Sequence, residues 1–282
     1  ARLLTPNRAL ALSEDVRVWR AFRDADPTTL RYVDVGANEH RHLSITASLH
    51  DEGWRGVLIE ADPVLAEELR VHRPDDLVIE VAAAGGDGEL VFHRVPGTGL
   101  GTLDADEAAA AAARGFAVET VTVRTRALDD VLDEVGLGDV HFMTIDVEGA
   151  EAVVLQGLSL TRHRPWTLCV EAVLPGTSEP SEGAWEPGLL AAGYRFVAFD
   201  GVNRWYVAVE HADLAPALSV PFNAIDAGEH GWVVADHAAT RTRADRADVR
   251  RAWTRELILH DIAGEVPRAE YERQIAELRG AL

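Results

Sequence analysis

The stretch Tyr32-Val33-Asp34-Val35-Gly36-Ala37-Asn38, with Val57-Leu58-Ile59-Glu60 ending 24 residues beyond Gly36, decides the fold. It reads as a β-branched strand, a tight glycine turn, and a second strand that ends in an acid. A glycine at the turn lets a ligand approach the backbone closely, and an acid at the tip of the next strand can accept both hydroxyls of a ribose. A nucleoside is the implied ligand. A dinucleotide would need the three glycines of G-x-G-x-x-G, so that its pyrophosphate could rest on a helix N-terminus. Only Gly36 is present, and Asn38, Arg41 and Leu43 occupy the neighbourhood. A buried carboxylate such as Asp34 beside a pyrophosphate would cost several kcal/mol, on the order given for unpaired buried charge. The turn therefore suits a nucleoside with an amino acid group and no phosphate, which describes S-adenosylmethionine better than NAD.

Bulk properties narrow the partners. A chain of 282 residues, 47 % hydrophobic and 26 % charged, has the composition of a globular protein with one large core or one domain with an appendage. A net charge of −20 opposes phosphate backbones and anionic lipid, so neither nucleic acid nor membrane is an expected partner. The single cysteine, Cys169, lies in the apolar run Trp166 to Val173 and excludes an intrachain disulfide or a multi-cysteine metal site. No run approaches the roughly 18 apolar residues of a membrane span, and the first 30 residues carry Glu14, Asp15, Asp24 and Asp26, unlike a signal peptide. A cytoplasmic location is the expectation. All 27 basic residues are arginine, which removes lysine from the possible bases.

Along the chain, Ser13 to Asp24 has the period of a short amphipathic helix with Val16, Trp19 and Phe22 on one face, stopped by Asp26-Pro27. A βαβα rhythm follows: strand Arg31 to Val35, helix Ser44 to Glu52, strand Gly56 to Glu60, and a helix after Asp62-Pro63. Leu77 to Ala83 reads as a third strand and Glu89 to Val95 as an extra strand in a hairpin. The alanine-rich segment Asp104 to Arg114 reads as a weakly held helix. After a strand at Val118 to Thr125 and a helix at Ala127 to Val135, Phe142 to Ile145 is apolar enough for a central strand. Asp146 then falls at the carboxyl edge of the sheet, where ligands of open α/β sheets bind, so Asp34, Glu60 and Asp146 are expected to converge there. A fifth strand runs from Thr167 to Ala172, a helix follows Trp185, and the hairpin Tyr194 to Val209 closes a sheet of about seven strands with an antiparallel pair. The organisation expected is a helical segment over 1–30, a domain over 31–222 and a helical extension over 223–282. In that extension Tyr271, Ile275, Leu278 and Leu282 are spaced to pack on their own domain or to form a homodimer.

The blocks DVGAN (Asp34 to Asn38), GWRGVLIEADP (Gly53 to Pro63), TGLGT (Thr98 to Thr102), IDVEGAE (Ile145 to Glu151), RPWTLCVEA (Arg164 to Ala172) and FDGVNRWYVAVE (Phe199 to Glu210) resemble the FkbM family of S-adenosylmethionine-dependent O-methyltransferases. The resemblance runs from Tyr32 to Phe222 with the blocks in order. It implies the class I methyltransferase fold, a Rossmann-like α/β architecture with a seven-stranded sheet and helices on both faces. It also implies methylation of a hydroxyl on a sugar, a glycosylated natural product or a surface glycan. Carried over by position, it assigns Asp34, Gly36, Ala37 and Asn38 to the methionine end of the cofactor, and Glu60 to its ribose. Ala82, Ala83 and Asp62 fall to the adenine end, and Asp146 to the vicinity of the methyl group. Two departures stand out, His40 for the usual glycine and Thr144 for the usual lysine.

Methyl transfer to an alcohol needs in-line positioning and removal of a proton. Asp146 or a histidine can serve as base, with His40 preferred over His42 and His93 because it stands in the first turn. Alternatively, Asp146, Glu148 and Glu171 could hold Mg²⁺, a hard cation suited to carboxylates. Thr98, Glu171, Trp185, Asn203 and Arg204 are the candidates for the acceptor. Two other classes stay open, a divergent NAD-binding oxidoreductase and a non-catalytic assembly protein that retains the fold.

Overall fold

A computed structural model of the chain describes residues 14–96, 101–103, 105–175 and 177–221. Thr98 and the proposed C-terminal extension fall outside the described residues. The chain begins with α1 (Glu14–Phe22), β1 (Arg31–Val35), α2 (Ala47–Asp51), β2 (Arg55–Glu60) and α3 (Pro63–His72). It continues with β3 (Leu77–Glu80), β4 (Ala82–Ala84), β5 (Gly88–Arg94), α4 (Ala105–Ala113), β6 (Glu119–Ala127) and α5 (Leu128–Val135). The remaining elements are β7 (Phe142–Ile145), α6 (Glu151–Gln156), β8 (Thr167–Glu171), α7 (Glu186–Ala191), β9 (Tyr194–Phe199), β10 (Asn203–Ala208) and α8 (Ala215–Ser219).

The main sheet has the order β3-β2-β1-β7-β8-β10-β9. Its first five strands are parallel, and β10 pairs antiparallel to both β8 and β9. The central strands bury apolar side chains on both faces, Val33, Val35, Met143 and Ile145 on one side and Tyr32, Leu58, Phe142 and Trp205 on the other. Helices α5, α6 and α7 cover the first face through Leu132, Val154 and Leu189. Helices α1, α2 and α3 cover the second through Val18, Leu49 and Leu69. Each such aliphatic side chain stabilises the fold by about 1.5–3 kcal/mol. Phe22 of α1 meets Trp54 edge-on at 5.3 Å, which pins the first helix to the sheet.

One element departs from the sequence reading. The run Leu77 to Ala83 is not a single strand: β3 stays with β2, and after Val81 the chain turns away as β4. There it joins a second sheet of order β4-β6-β5, in which β5 pairs antiparallel with β6 over its whole length. The bend packs Ala82 against Phe92 of β5 while Ala83 faces the main core, and the small sheet forms a wall of the cavity at the carboxyl edge of the large one.

Candidate active site

Parallel β1, β2 and β7 end side by side, and their ends open onto a cavity of about 300 Å³. Gly36 turns the chain off β1 with φ +85°, and a Cβ there would collide with the backbone carbonyl of Asp146. Only glycine serves at this position, by conformation and by space. The Gly36 and Ala37 amides donate to the Ile59 carbonyl at 2.9 and 3.1 Å, which locks the turn onto β2. Glu60 caps it from the other side: Oε2 accepts from the Asn38 amide at 2.7 Å and Oε1 from the Asp62 amide at 2.7 Å. Each carboxylate oxygen keeps a lone pair for a ligand hydroxyl. Burial pushes the Glu60 carboxyl up to about 7 against the pull of those two amides.

Asp34 lies below the turn, buried, and accepts the Thr46 hydroxyl at 2.5 Å. Its burial raises it to about 6, opposed by that hydrogen bond and by the charge of Arg73. Asp146 lines the cavity opposite, followed by Glu148 in the left-handed region at φ 53°. A non-glycine residue held there marks a site over-determined by its surroundings. Glu151 serves the backbone: its Oε1 accepts from the Val147 and Gly149 amides, each at 3.1 Å, and so shapes this turn.

Asp34, Gly36, Ala37, Asn38, Glu60, Asp62, Ala82, Ala83 and Asp146 thus all line one cavity. Asp62 is committed within it, capping α3 through the Val64 amide at 2.8 Å and accepting Arg94 Nε at 2.6 Å. The acceptor and base candidates are distributed differently. His40 is corrected: it stacks on His72 at 4.1 Å and is not among the cavity-lining residues, because the turn leads its ring toward α3. Trp185 is corrected as well, being 5 % exposed and packed edge-on against Tyr206 in the core. Arg204 does not reach the cavity, since Glu182 and Glu186 hold it at 3.0 and 2.8 Å over the Phe196 ring. Asn203 is buried opposite Glu171 across the β8–β10 pair. Glu171 itself sits at the end of β8, hydrogen-bonded to Asp146. Burial and the carboxylates of Asp146, Glu148 and Glu151 hold its acid far above the ordinary range. Among the described residues no group of three or more His, Cys, Asp or Glu is arranged to hold a metal, so the Mg²⁺ set Asp146, Glu148 and Glu171 is not assembled.

The sequence reading missed Phe92, Leu103 and Val95, which line the cavity from the small sheet and its connection, and Glu39 and Glu68 at its rim. Alternation along β5 carried a signal for Phe92, but nothing local placed that strand at the site.

A mostly parallel seven-stranded sheet flanked by helices, with its ligand cavity at the carboxyl edge, defines a class I methyltransferase fold. The model of the methyltransferase FkbM domain matches residues 34–196, and the chain belongs to the FkbM methyltransferase family. Among solved structures, it is similar to the methyltransferase FkbM from Methylobacillus flagellatus KT at 17 % identity and TM-score 0.41, over 71 % of this chain and 56 % of that one. A delta-N METTL16 MTase domain is similar at 13 % identity and TM-score 0.35, over 67 % of this chain and 77 % of that one. No curated protein matches the chain. No helix among the described residues is long and apolar enough to cross a membrane.

Proposed function

We propose that the chain is an S-adenosylmethionine-dependent O-methyltransferase whose acceptor is a hydroxyl of a sugar or of a glycosylated natural product. The observation that carries this reading is the joint placement of Asp34, Glu60 and Asp146 on adjacent strand ends around one cavity beside a single glycine turn. The residues fit the cofactor. Glu60 has lone pairs for a ribose diol, and Phe92, Ala82 and Ala83 offer a flat apolar slot for a base. Asp34 faces the amino acid end, where a cationic amine would find its charge. When bound, the cofactor supplies an activated methyl group on its sulfonium. The chain supplies the rest: Asp146 accepts the proton of the acceptor hydroxyl, and Glu171 steadies that carboxylate by donating to it. Neither metal nor histidine enters this scheme. An oxidoreductase reading is weaker, because the turn lacks the second and third glycines that admit a pyrophosphate.

Calorimetry should show S-adenosylmethionine binding and no comparable binding of NAD; tighter binding of NAD would overturn the reading. Asp146→Asn should lower methyl transfer, read as release of S-adenosylhomocysteine, by about 100-fold or more while cofactor binding survives.

A further inference from the structure

Pairing along β5 continues beyond the small sheet. The His93 amide donates to the Thr102 carbonyl at 2.8 Å and the Thr102 amide to the His93 carbonyl at 3.0 Å, an antiparallel pair that ties residues 101–103 to the outer edge of β5. Side chains on either side of such a pair point to the opposite face from the pair itself. Phe92, Arg94, Gly101 and Leu103 accordingly all line the cavity, while His93 and Thr102 are not among its lining residues.

This wall belongs to the Glu60 side of the cavity. Ala61 and Asp62 follow Glu60 directly. Ala61 packs against the cluster of Ala82, Phe92 and Val123, and Asp62 accepts Arg94 Nε at 2.6 Å, two positions along β5 from Phe92. Val121 of β6 stands opposite Phe92, and Val121 and Leu103 pack on the same cluster. The Phe92 ring is therefore held by protein on its inner side and open toward the cavity it lines. A base carried on a ribose at Glu60 would meet this ring.

Gly101 stands against the ring as well. A Cβ built there would run into Cζ of Phe92, with Cε1 at 3.0 Å and Cε2 at 3.3 Å. Its backbone does not call for glycine, since its φ lies outside the left-handed region. Space alone reserves the position. Ordinary carbon contact is about 3.5–4 Å, so a methyl group would drive the ring back by about 1 Å. The residues packed around the ring leave the cavity as the direction in which it can yield. The cost of a side chain at 101 then falls on the ligand and not on the fold.

We propose that Gly101 is a positioning residue acting through Phe92: by bearing no side chain it lets the ring stand back from the cavity, and so sets the width of a slot for a flat bicyclic base. This deepens the reading given under Proposed function and rests on it. It assigns the base end of the nucleoside to the wall made by β5 and residues 101–103.

The probes are S-adenosylhomocysteine and S-ribosylhomocysteine, which keeps the ribose and the amino acid but lacks the base, titrated into the full chain. Gly101→Ala should weaken S-adenosylhomocysteine binding at least tenfold and S-ribosylhomocysteine binding by twofold or less. Placed on Phe92→Leu, the same substitution should change S-adenosylhomocysteine affinity by twofold or less, because the ring it displaces is gone. In wild-type protein, NOEs should connect adenine H2 or H8 to ring protons whose signals Phe92→Leu removes. Circular dichroism and melting should show Gly101→Ala folded like wild type. A loss of less than tenfold in Gly101→Ala, a loss that persists on Phe92→Leu, an equal loss of both ligands, or no NOE from adenine to Phe92 would overturn the proposal. So would a Gly101→Ala chain that fails to fold and is not restored by Phe92→Leu, which makes the glycine a requirement of folding. Failure of S-adenosylhomocysteine to bind wild-type protein, by contrast, would tell against the methyltransferase reading itself.

Discussion

Around Asp76 and around Glu171 the same face of the sheet carries buried acids, yet the two neighbourhoods are built to opposite plans. Asp76 accepts Tyr32 Oη at 2.6 Å, Arg73 Nε at 2.8 Å and the Gly56 amide at 2.9 Å, and His50 Nδ1 stands 3.0 Å away. Arg73 also reaches Tyr32 Oη at 2.6 Å and Thr46 Oγ1 at 3.1 Å, and the Thr46 hydroxyl donates a hydrogen bond to Asp34. Against the upward push of burial, His50, Arg73 and Tyr32 hold Asp76 below the usual carboxylate range. Glu14 and Glu171 have no such cation, and burial together with neighbouring acids raises both, Glu14 to about 8. A neutralised cluster fixes side chains, here the turn beneath Asp34. An uncompensated one leaves stability dependent on pH, because its acids bind protons more tightly in the folded chain than in the unfolded one.

The sharpest way to break this contrast is Arg73→Met. It strips the counter-charge from Asp76 while leaving that carboxylate buried, and should cost about 3–5 kcal/mol in urea unfolding. A smaller loss would mean that Asp76 is satisfied without its arginine.

Glu14→Gln should act in the opposite direction. An acid raised from 4.5 to about 8 in the folded state binds more protons there than in the unfolded chain. Its contribution to stability is present below about pH 4.5 and is lost as pH rises toward 8. The variant should therefore match wild type at pH 4.5 and exceed it at pH 8 by a few kcal/mol, on the order of one pKa unit per 1.4 kcal/mol. Parallel melting curves across that range would show instead that Glu14 has a partner in solution.

The mildest test is Thr46→Val. Losing the Thr46 hydroxyl should raise Asp34 further above about 6, and so move the pH midpoint of cofactor affinity upward. The effect expected of one hydrogen bond to a charged group is about 1.5–3 kcal/mol at most. Calorimetry at stepped pH reads the midpoint directly, and an unmoved midpoint would remove Asp34 from the amine contact.

Much of the cavity lining was legible in advance because it rests on local patterns. A β-branched run before Gly36 and an apolar strand ending at Glu60 put their last residues at one edge in any parallel sheet, and Asp146 follows the same rule after Phe142 to Ile145. The residues outside that lining were not legible, because they are placed by contacts that cross the chain. Arg204 has the character of a ligand-binding residue until Glu182 and Glu186 are seen to hold it. His40 reads as facing the ligand until its stacking partner on α3 is known. Nothing near Glu14 announces that it will meet Asn203, 189 positions away.

The amino-acid sequence alone determined where the strands around the cavity end and where the glycine turn falls, since periodicity and short-range stereochemistry specify them, and its ordered blocks carried the family. Only the tertiary structure decided that Val81 bends the third strand into a second sheet, and which acids are neutralised and which are not. The physical reason is that the state of a buried charge depends on what packs around it, and that is set by docking of distant elements rather than by neighbours along the chain.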